Sequence, residues 1–168
     1  MDKTSIELLI LDVDGVLTDG RITATPAGEW TKAFYVQDGC ALKLWQRSGG
    51  KVALLSGRTE EAVDRRAAEL GIEWVHGGVT DKLSAYRAIL ALAGCRDAAV
   101  SYVGDDLPDL RPMRCCGFPV AVADAAPAVK RAAHYVTRRH GGAGAVAEVV
   151  ELLLRKQKRW SKVVGEEA

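Results

Sequence analysis

The chain has 168 residues, 48% hydrophobic and 27% charged, the composition of a globular protein with room for one sizeable core. A formal net charge of +1 gives no overall field to favour nucleic acid or an anionic membrane, and no apolar run approaches the ~20 residues of a membrane-spanning helix. The four cysteines, Cys40, Cys95, Cys115 and Cys116, show no C-x-x-C spacing. Reduced thiols packed as small apolar groups are expected. The start, MDKTSIELLILDVDG, has no basic flank and no small-residue cleavage site, so a cytoplasmic location is expected.

Apolar runs then alternate with helix-like segments. ELLILDV (7–13) is a strand that ends on two carboxylates, Asp12 and Asp14. RITATPAGEWTKAFYV (21–36) has two short β-prone stretches around Pro26-Ala27-Gly28 and reads as a hairpin. ALKLWQRS (41–48) has helical spacing and stops at Gly49-Gly50. KVALLS (51–56) is a second core strand, TEEAVDRRAAELG (59–71) an amphipathic helix with a glycine stop, and IEWVHGG a short strand and turn. KLSAYRAILALAG (82–94) is a helix, and AAVSYVGDD (98–106) a strong strand that again ends in acids. LPDLRPMRCCG reads as a short helix, FPVAVADA (118–125) as a strand and turn, APAVKRAA as a helix and HYVT as a small strand. GAVAEVVELLLRKQKRW (144–160) is a helix with a basic end, followed by a frayed VVGEEA.

Strands alternating with helices imply an α/β fold: a mainly parallel sheet covered on both faces. Ligands of such sheets bind beyond the carboxyl ends of the strands. Asp12 and Asp14, Ser56-Gly57-Arg58 and Gly104-Asp105-Asp106 all follow strands, so one sheet edge would gather them.

Like charges as close as Asp12 and Asp14 repel, and burial makes this worse, so a cation must offset them or they must be exposed. A hard ion such as Mg²⁺ takes oxygen ligands and draws in a substrate phosphate. Ser56 offers a hydroxyl, the Ser56-Gly57 turn offers backbone N–H groups, and Lys82 offers a point charge at a helix start. One carboxylate can then attack phosphorus while the other protonates the leaving oxygen and later activates water. Singly, each feature has a plainer reading. D-x-D and S-G-R can be turns, G-D-D a helix cap, and Lys82 a solvated helix residue. Their joint occurrence, in order and each after a strand or at a helix start, carries the argument.

These residues resemble the haloacid dehalogenase-like phosphatases. Asp12-Val13-Asp14-Gly15-Val16-Leu17-Thr18 matches the first motif, Ser56 the second, Lys82 the third, and Gly104-Asp105-Asp106 with Asp109 the fourth, over residues 6–125. The resemblance implies that Asp12 is the nucleophile and Asp14 the general acid/base. It also implies that Mg²⁺ is held by Asp12, the Asp14 carbonyl and Asp105. Ser56, Gly57 and Lys82 would hold phosphate, and Asp109 would support the metal site from behind.

LDVDGVLTDG, the hairpin, FYVQDG (34–39), LLSGR, GGVTDK (77–82), YVGDDLPDL, VAVADA, HYVT and GGAGAVAEV together resemble the 3-deoxy-D-manno-octulosonate 8-phosphate phosphatase family. That family implies a single Rossmann-like domain over 1–168 with no cap domain. The hairpin would be an insertion at about 20–36, and a C-terminal helix and tail would occupy 141–168. It implies a phosphorylated 2-keto-3-deoxy sugar acid as substrate on the way to lipopolysaccharide, with a nine-carbon sialic-type acid 9-phosphate as the alternative. It implies a homotetramer in which hairpins meet centrally, neighbouring chains wall the active site and the segment 140–144 reaches a neighbour. Nucleic acid and membrane partners are not implied.

The tail departs from the expected G-G-R-G-A-V-R-E, with Ala143 and Ala147 where arginines are expected and Arg138 and Arg139 just upstream. Cations for the substrate carboxylate are Arg58 first, then Lys43, Arg65 and Arg66. A phospho-acceptor signalling domain and an inactive regulatory subunit are the readings from a different class. The first pairs its acids elsewhere on the sheet, and the second would show a broken motif.

Overall fold

The computed structural model describes residues 5–28 and 30–165. A six-stranded sheet is built from β1 (Leu8–Leu11), β4 (Lys51–Leu55), β5 (Trp74–His76), β6 (Val100–Gly104), β7 (Phe118–Ala121) and β8 (Tyr135–Val136). The order is β5-β4-β1-β6-β7-β8 and every pairing is parallel. Every residue of β1 and β6 is buried. Side chains alternate faces along a strand, so both faces of the sheet must be covered. From β1 the chain runs outward through β4 and β5, then crosses back to β6 on β1's other side. That reversal is the switch point at which ligand crevices form in such sheets.

The hairpin stands apart as β2 (Thr23–Ala24) and β3 (Trp30–Thr31), with Thr23 opposite Thr31 and Ala24 opposite Trp30. Trp30 is exposed, as are Ile22, Tyr35 and Val36 nearby. The helices are α1 (Val36–Arg47), α2 (Glu61–Leu70), α3 (Lys82–Ala93), α4 (Leu110–Met113), α5 (Pro127–Ala132), α6 (Ala145–Lys156) and α7 (Trp160–Gly165). Helices α1 and α6 pack together, and α6 buries Val146, Val149, Val150, Leu153 and Leu154.

Three local expectations are corrected. The helix expected from Ala41 begins at Val36, so Asp38 and Gly39 are helical. Asp38 is buried because its carboxylate accepts from Gly144 N at 3.3 Å and Ala147 N at 2.8 Å, capping α6. Burial raises the Asp38 pKa, and those backbone donors oppose the rise. The helix expected over 144–160 ends at Lys156, where Lys158 takes a left-handed φ of 59°. The chain restarts as α7, with Trp160 under the Arg155 guanidinium, so Val163 is buried rather than frayed. The rest of the expected fray, residues 166–168, lies outside the described residues. Lastly, Cys40 and Cys115 are exposed, and only Cys116 is packed as a buried thiol.

Candidate active site

The acidic turn begins where β1 ends. Asp12 N donates to Val103 O, extending the β1–β6 ladder by one bond, and the backbone then coils so that Leu17 N and Thr18 N both reach Val13 O. Gly15 sits at φ +84°, and a Cβ there would lie 2.1 Å from Asp105 Oδ2. Glycine is therefore required twice over, for its backbone angle and for the approach of Asp105. The buried Thr18 hydroxyl accepts from Gly20 N and donates to Val13 O, which closes the turn.

Asp12, Asp105 and Asp109 place carboxylate oxygens within 4.8 Å of one another. Lys82, the first residue of α3, reaches in and lies 2.9 Å from Asp12 Oδ1 and 2.8 Å from Asp109 Oδ1. Asp81 starts that helix by accepting from Leu83 N at 3.2 Å. Burial, then repulsion from Asp109, pushes Asp12 up to about 6 against the pull of Lys82. Burial, then Asp12 and Asp109, pushes Asp105 up to about 8. Burial works against the charge on Lys82, but Asp12 and Asp109 together raise its pKa.

The arrangement thus has more buried negative charge than Lys82 alone neutralises. Its free donors are all hard oxygens, so the residues fit Mg²⁺. Asp109 differs from the other two. Its Oδ1 accepts from Lys82 and from Tyr102 Oη at 2.7 Å, and its Oδ2 from Asp105 N at 3.0 Å and Asp106 N at 3.2 Å. Both oxygens are spoken for, which leaves Asp12 and Asp105 as the carboxylates of the cluster that could hold an ion.

These groups open into a cleft of about 470 Å³ lined by Asp12, Asp14, Gly57, Arg58, Lys82 and Asp105, with Ile22 from the hairpin side. Ser56, next in the chain to Gly57, does not itself line the cleft. It is buried, its N donates to His76 O, and its Oγ accepts from Arg58 N at 3.1 Å. The structure therefore brings together Asp12, Asp14, Ser56, Gly57, Arg58, Lys82, Asp105 and Asp109. Lys43, Arg65 and Arg66 do not line this cleft. Arg65 pairs with Glu61 and Arg66 with Glu69, both along α2. Larger cavities of about 730 and 620 Å³ lie away from the acids, the second between α1 and α6 and lined by Arg138 and Arg139.

The segment 140–144 packs on its own chain's acidic turn. Gly142 N donates to Val16 O at 2.9 Å, and a Cβ on Gly141 would lie 1.7 Å from Gly15 O. Ala143 faces solvent.

Sequence reading missed Lys32 and Glu60. Lys32 Nζ donates to Asp14 Oδ1 and lies 3.1 Å from Glu60 Oε1. No local signal marked it: Trp30, two residues earlier and on the same side by strand alternation, is exposed.

Residues 72–150 match the model of a haloacid dehalogenase-like hydrolase family. The chain is 45% identical over 161 residues to the 3-deoxy-D-manno-octulosonate 8-phosphate phosphatase of Yersinia pestis, covering 96% of this chain and 86% of that one. It is 44% identical over 162 residues to the enzyme of Escherichia coli K12, with the same coverage. The crystal structure of the Moraxella catarrhalis enzyme, in complex with magnesium, phosphate and KDO, superposes with a TM-score of 0.95 at 40% identity, covering 99% of this chain and 95% of that one. Identity at this level over nearly the full chain, together with the shared fold, makes the chain a member of the 3-deoxy-D-manno-octulosonate 8-phosphate phosphatase family of haloacid dehalogenase-like hydrolases.

Proposed function

We propose that this chain is a Mg²⁺-dependent phosphatase that hydrolyses 3-deoxy-D-manno-octulosonate 8-phosphate through an aspartyl-phosphate intermediate. The observation that carries the reading is the convergence of Asp12, Asp105 and Lys82 at the carboxyl ends of β1 and β6, beside a cleft that also holds Asp14. Mg²⁺ held by Asp12, the Asp14 carbonyl and Asp105 supplies charge neutralisation for an incoming phosphate.

The chain's own groups perform the steps. Lys82 and the Gly57 backbone orient the phosphate, with Ser56 as a further hydroxyl. An Asp12 oxygen attacks phosphorus, the bond from phosphorus to the sugar oxygen breaks, and Asp14 gives that oxygen a proton. Asp14 then takes a proton from water as the water oxygen attacks phosphorus, which frees Asp12 and inorganic phosphate. Asp109 holds Lys82 and the Asp105 backbone in place. Arg58, the guanidinium at the cleft wall, is the cation for the sugar-acid carboxylate.

The exposed apolar residues Ile22, Trp30, Tyr35 and Val36 support assembly through the hairpin into a homotetramer whose neighbours wall the open cleft. Light scattering at several concentrations checks this. A cytoplasmic location is part of the same reading, supported by four unpaired cysteines and by the absence, among the described residues, of any helix long and apolar enough to cross a membrane.

The test is phosphate release from 3-deoxy-D-manno-octulosonate 8-phosphate and from a nine-carbon sugar acid 9-phosphate, with Mg²⁺ and with EDTA. A Mg²⁺-dependent preference for the first is expected. A preference for the second moves the chain to the nine-carbon substrate. Hydrolysis of only a generic phosphate ester removes the sugar-acid assignment and keeps the catalytic one.

A further inference from the structure

The Lys32 side chain is 1% exposed. A lysine is almost never buried so fully without a partner, because its ammonium gives up its hydration. Two carboxylates replace that water, Asp14 through Oδ1 and Glu60 at 3.1 Å. Glu60 immediately precedes α2, and its side chain is 15% exposed. Lys32 is not among the residues that line the cleft, whereas Asp14 is. With Oδ1 engaged from behind, Asp14 Oδ2 is left 3.9 Å from the exposed Arg58 guanidinium at the cleft wall.

We propose that Lys32 is a positioning residue for the hydrolytic reaction and acts through Asp14. The proposal rests on the acid/base role given to Asp14 above. That role requires one oxygen within hydrogen-bond reach of the sugar oxygen in the first step and of water in the second. A carboxylate held at neither oxygen rotates about its last torsion, and a misplacement of about 1 Å costs on the order of 100-fold in rate. The buried ammonium fixes Oδ1, so Oδ2 gives the proton to the departing sugar oxygen and takes one from water. Glu60 holds the ammonium from a second side and keeps it off the phosphate. The hydroxyl of Thr18, the hydroxyl-bearing residue of the acidic turn, is occupied by that turn's own backbone and cannot do this. Because Lys32 directly follows β3, the geometry of the acid/base depends on the hairpin, an element otherwise separate from the sheet.

The test uses Lys32→Met, Lys32→Arg and the double variant Lys32→Met with Glu60→Gln, which leaves Glu60 no unpaired charge. Thermal melts monitor folding. Two substrates separate the steps: the sugar-acid phosphate, whose alkoxide must be protonated, and p-nitrophenyl phosphate, whose leaving group departs without a proton. Lys32→Met is expected to lower kcat on the sugar-acid phosphate about 100-fold with KM changed less than about threefold. On p-nitrophenyl phosphate the first turnover stays within about threefold of wild type while later turnovers slow about 100-fold, so a burst of nitrophenolate appears. Lys32→Arg recovers at least about tenfold of the loss, and the double variant repeats the methionine kinetics.

A folded methionine variant, single or double, whose kcat stays within about threefold of wild type overturns the proposal. So does an equal loss in the first and later turnovers of p-nitrophenyl phosphate. If wild type ignores the sugar-acid phosphate yet turns over p-nitrophenyl phosphate, the substrate reading fails, and the burst comparison still decides the role of Lys32.

Discussion

Lys82 donates to Asp109 Oδ1 at 2.8 Å, with both side chains buried, so the first residue of α3 is tied to the turn that follows β6. The same ammonium lies 2.9 Å from Asp12 Oδ1. One cation thus holds the Asp12 and Asp109 carboxylates in fixed relation.

Removing it has two separate consequences. Lys82→Ala leaves two buried carboxylates uncompensated and is expected to cost about 3–5 kcal/mol of stability without metal. Added Mg²⁺ recovers part of that loss by replacing the missing charge. Activity is not expected to recover, because the phosphate loses the donor proposed for it. Calorimetry with and without Mg²⁺, set beside kcat/KM, reads both effects.

Asp12→Asn and Asp14→Asn test the nucleophile and acid/base roles proposed for these two residues. Both are expected to abolish steady release of phosphate. Asp12→Asn relieves a charge that burial already disfavours, so its melting temperature in EDTA should equal or exceed that of wild type at neutral pH. Asp14→Asn retains the nucleophile and, with an activated ester, is expected to accumulate phosphoryl-enzyme, seen as added phosphate mass on the peptide that carries Asp12.

The acids also set a pH dependence of the metal-free fold. Asp12 is raised to about 6 and Asp105 to about 8, both above their unfolded value of 3.8. Between those limits the folded state binds more protons than the unfolded state. Stability from these groups is therefore full below about pH 4 and lost as pH rises through 6 and 8. In EDTA the melting temperature should fall from pH 6 to pH 8.5. The gain on adding Mg²⁺ should be larger at the higher pH, where no proton competes with the ion. A metal-free melting temperature that rises over this range contradicts the assignment.

The tail loop offers a steric test. Gly141→Ala places a Cβ 1.7 Å from Gly15 O, against backbone that has no room to yield. It should displace the acidic turn, lower the melting temperature and reduce kcat by more than about tenfold. Ala143→Arg points to solvent and leaves the fold unchanged. If that arginine raises activity with the sugar-acid phosphate in the assembled protein but not in dilute monomer, the tail acts between chains.

Much of the site was legible because each motif stands at a strand end or a helix start. Strands of uninterrupted apolar residues announce burial on both faces, and a carboxylate following such a run marks the sheet edge where ligands sit. Asp12, Ser56, Lys82 and Asp105 were found this way. The substrate cations were less legible. Arg58, Lys43, Arg65 and Arg66 look alike as sequence, yet only Arg58 lines the cleft, while Arg65 and Arg66 pair with glutamates one turn away on α2.

The alternation of strands and helices, the acids and lysine at strand ends and helix starts, and the family are all legible in the chain before it folds. The alternation and the placing of these residues follow from local periodicity, which needs no knowledge of distant contacts; the family rests on the resemblance of the motifs. That Asp38 caps α6, that Gly142 seats the tail on the acidic turn, and that Lys32 is buried between Asp14 and Glu60 emerges from the folded chain alone. Each joins residues far apart in the chain, through a hydrogen bond or charge pair that exists only once the sheet order has set their separation. A charged residue's local sequence does not reveal which charge it will meet.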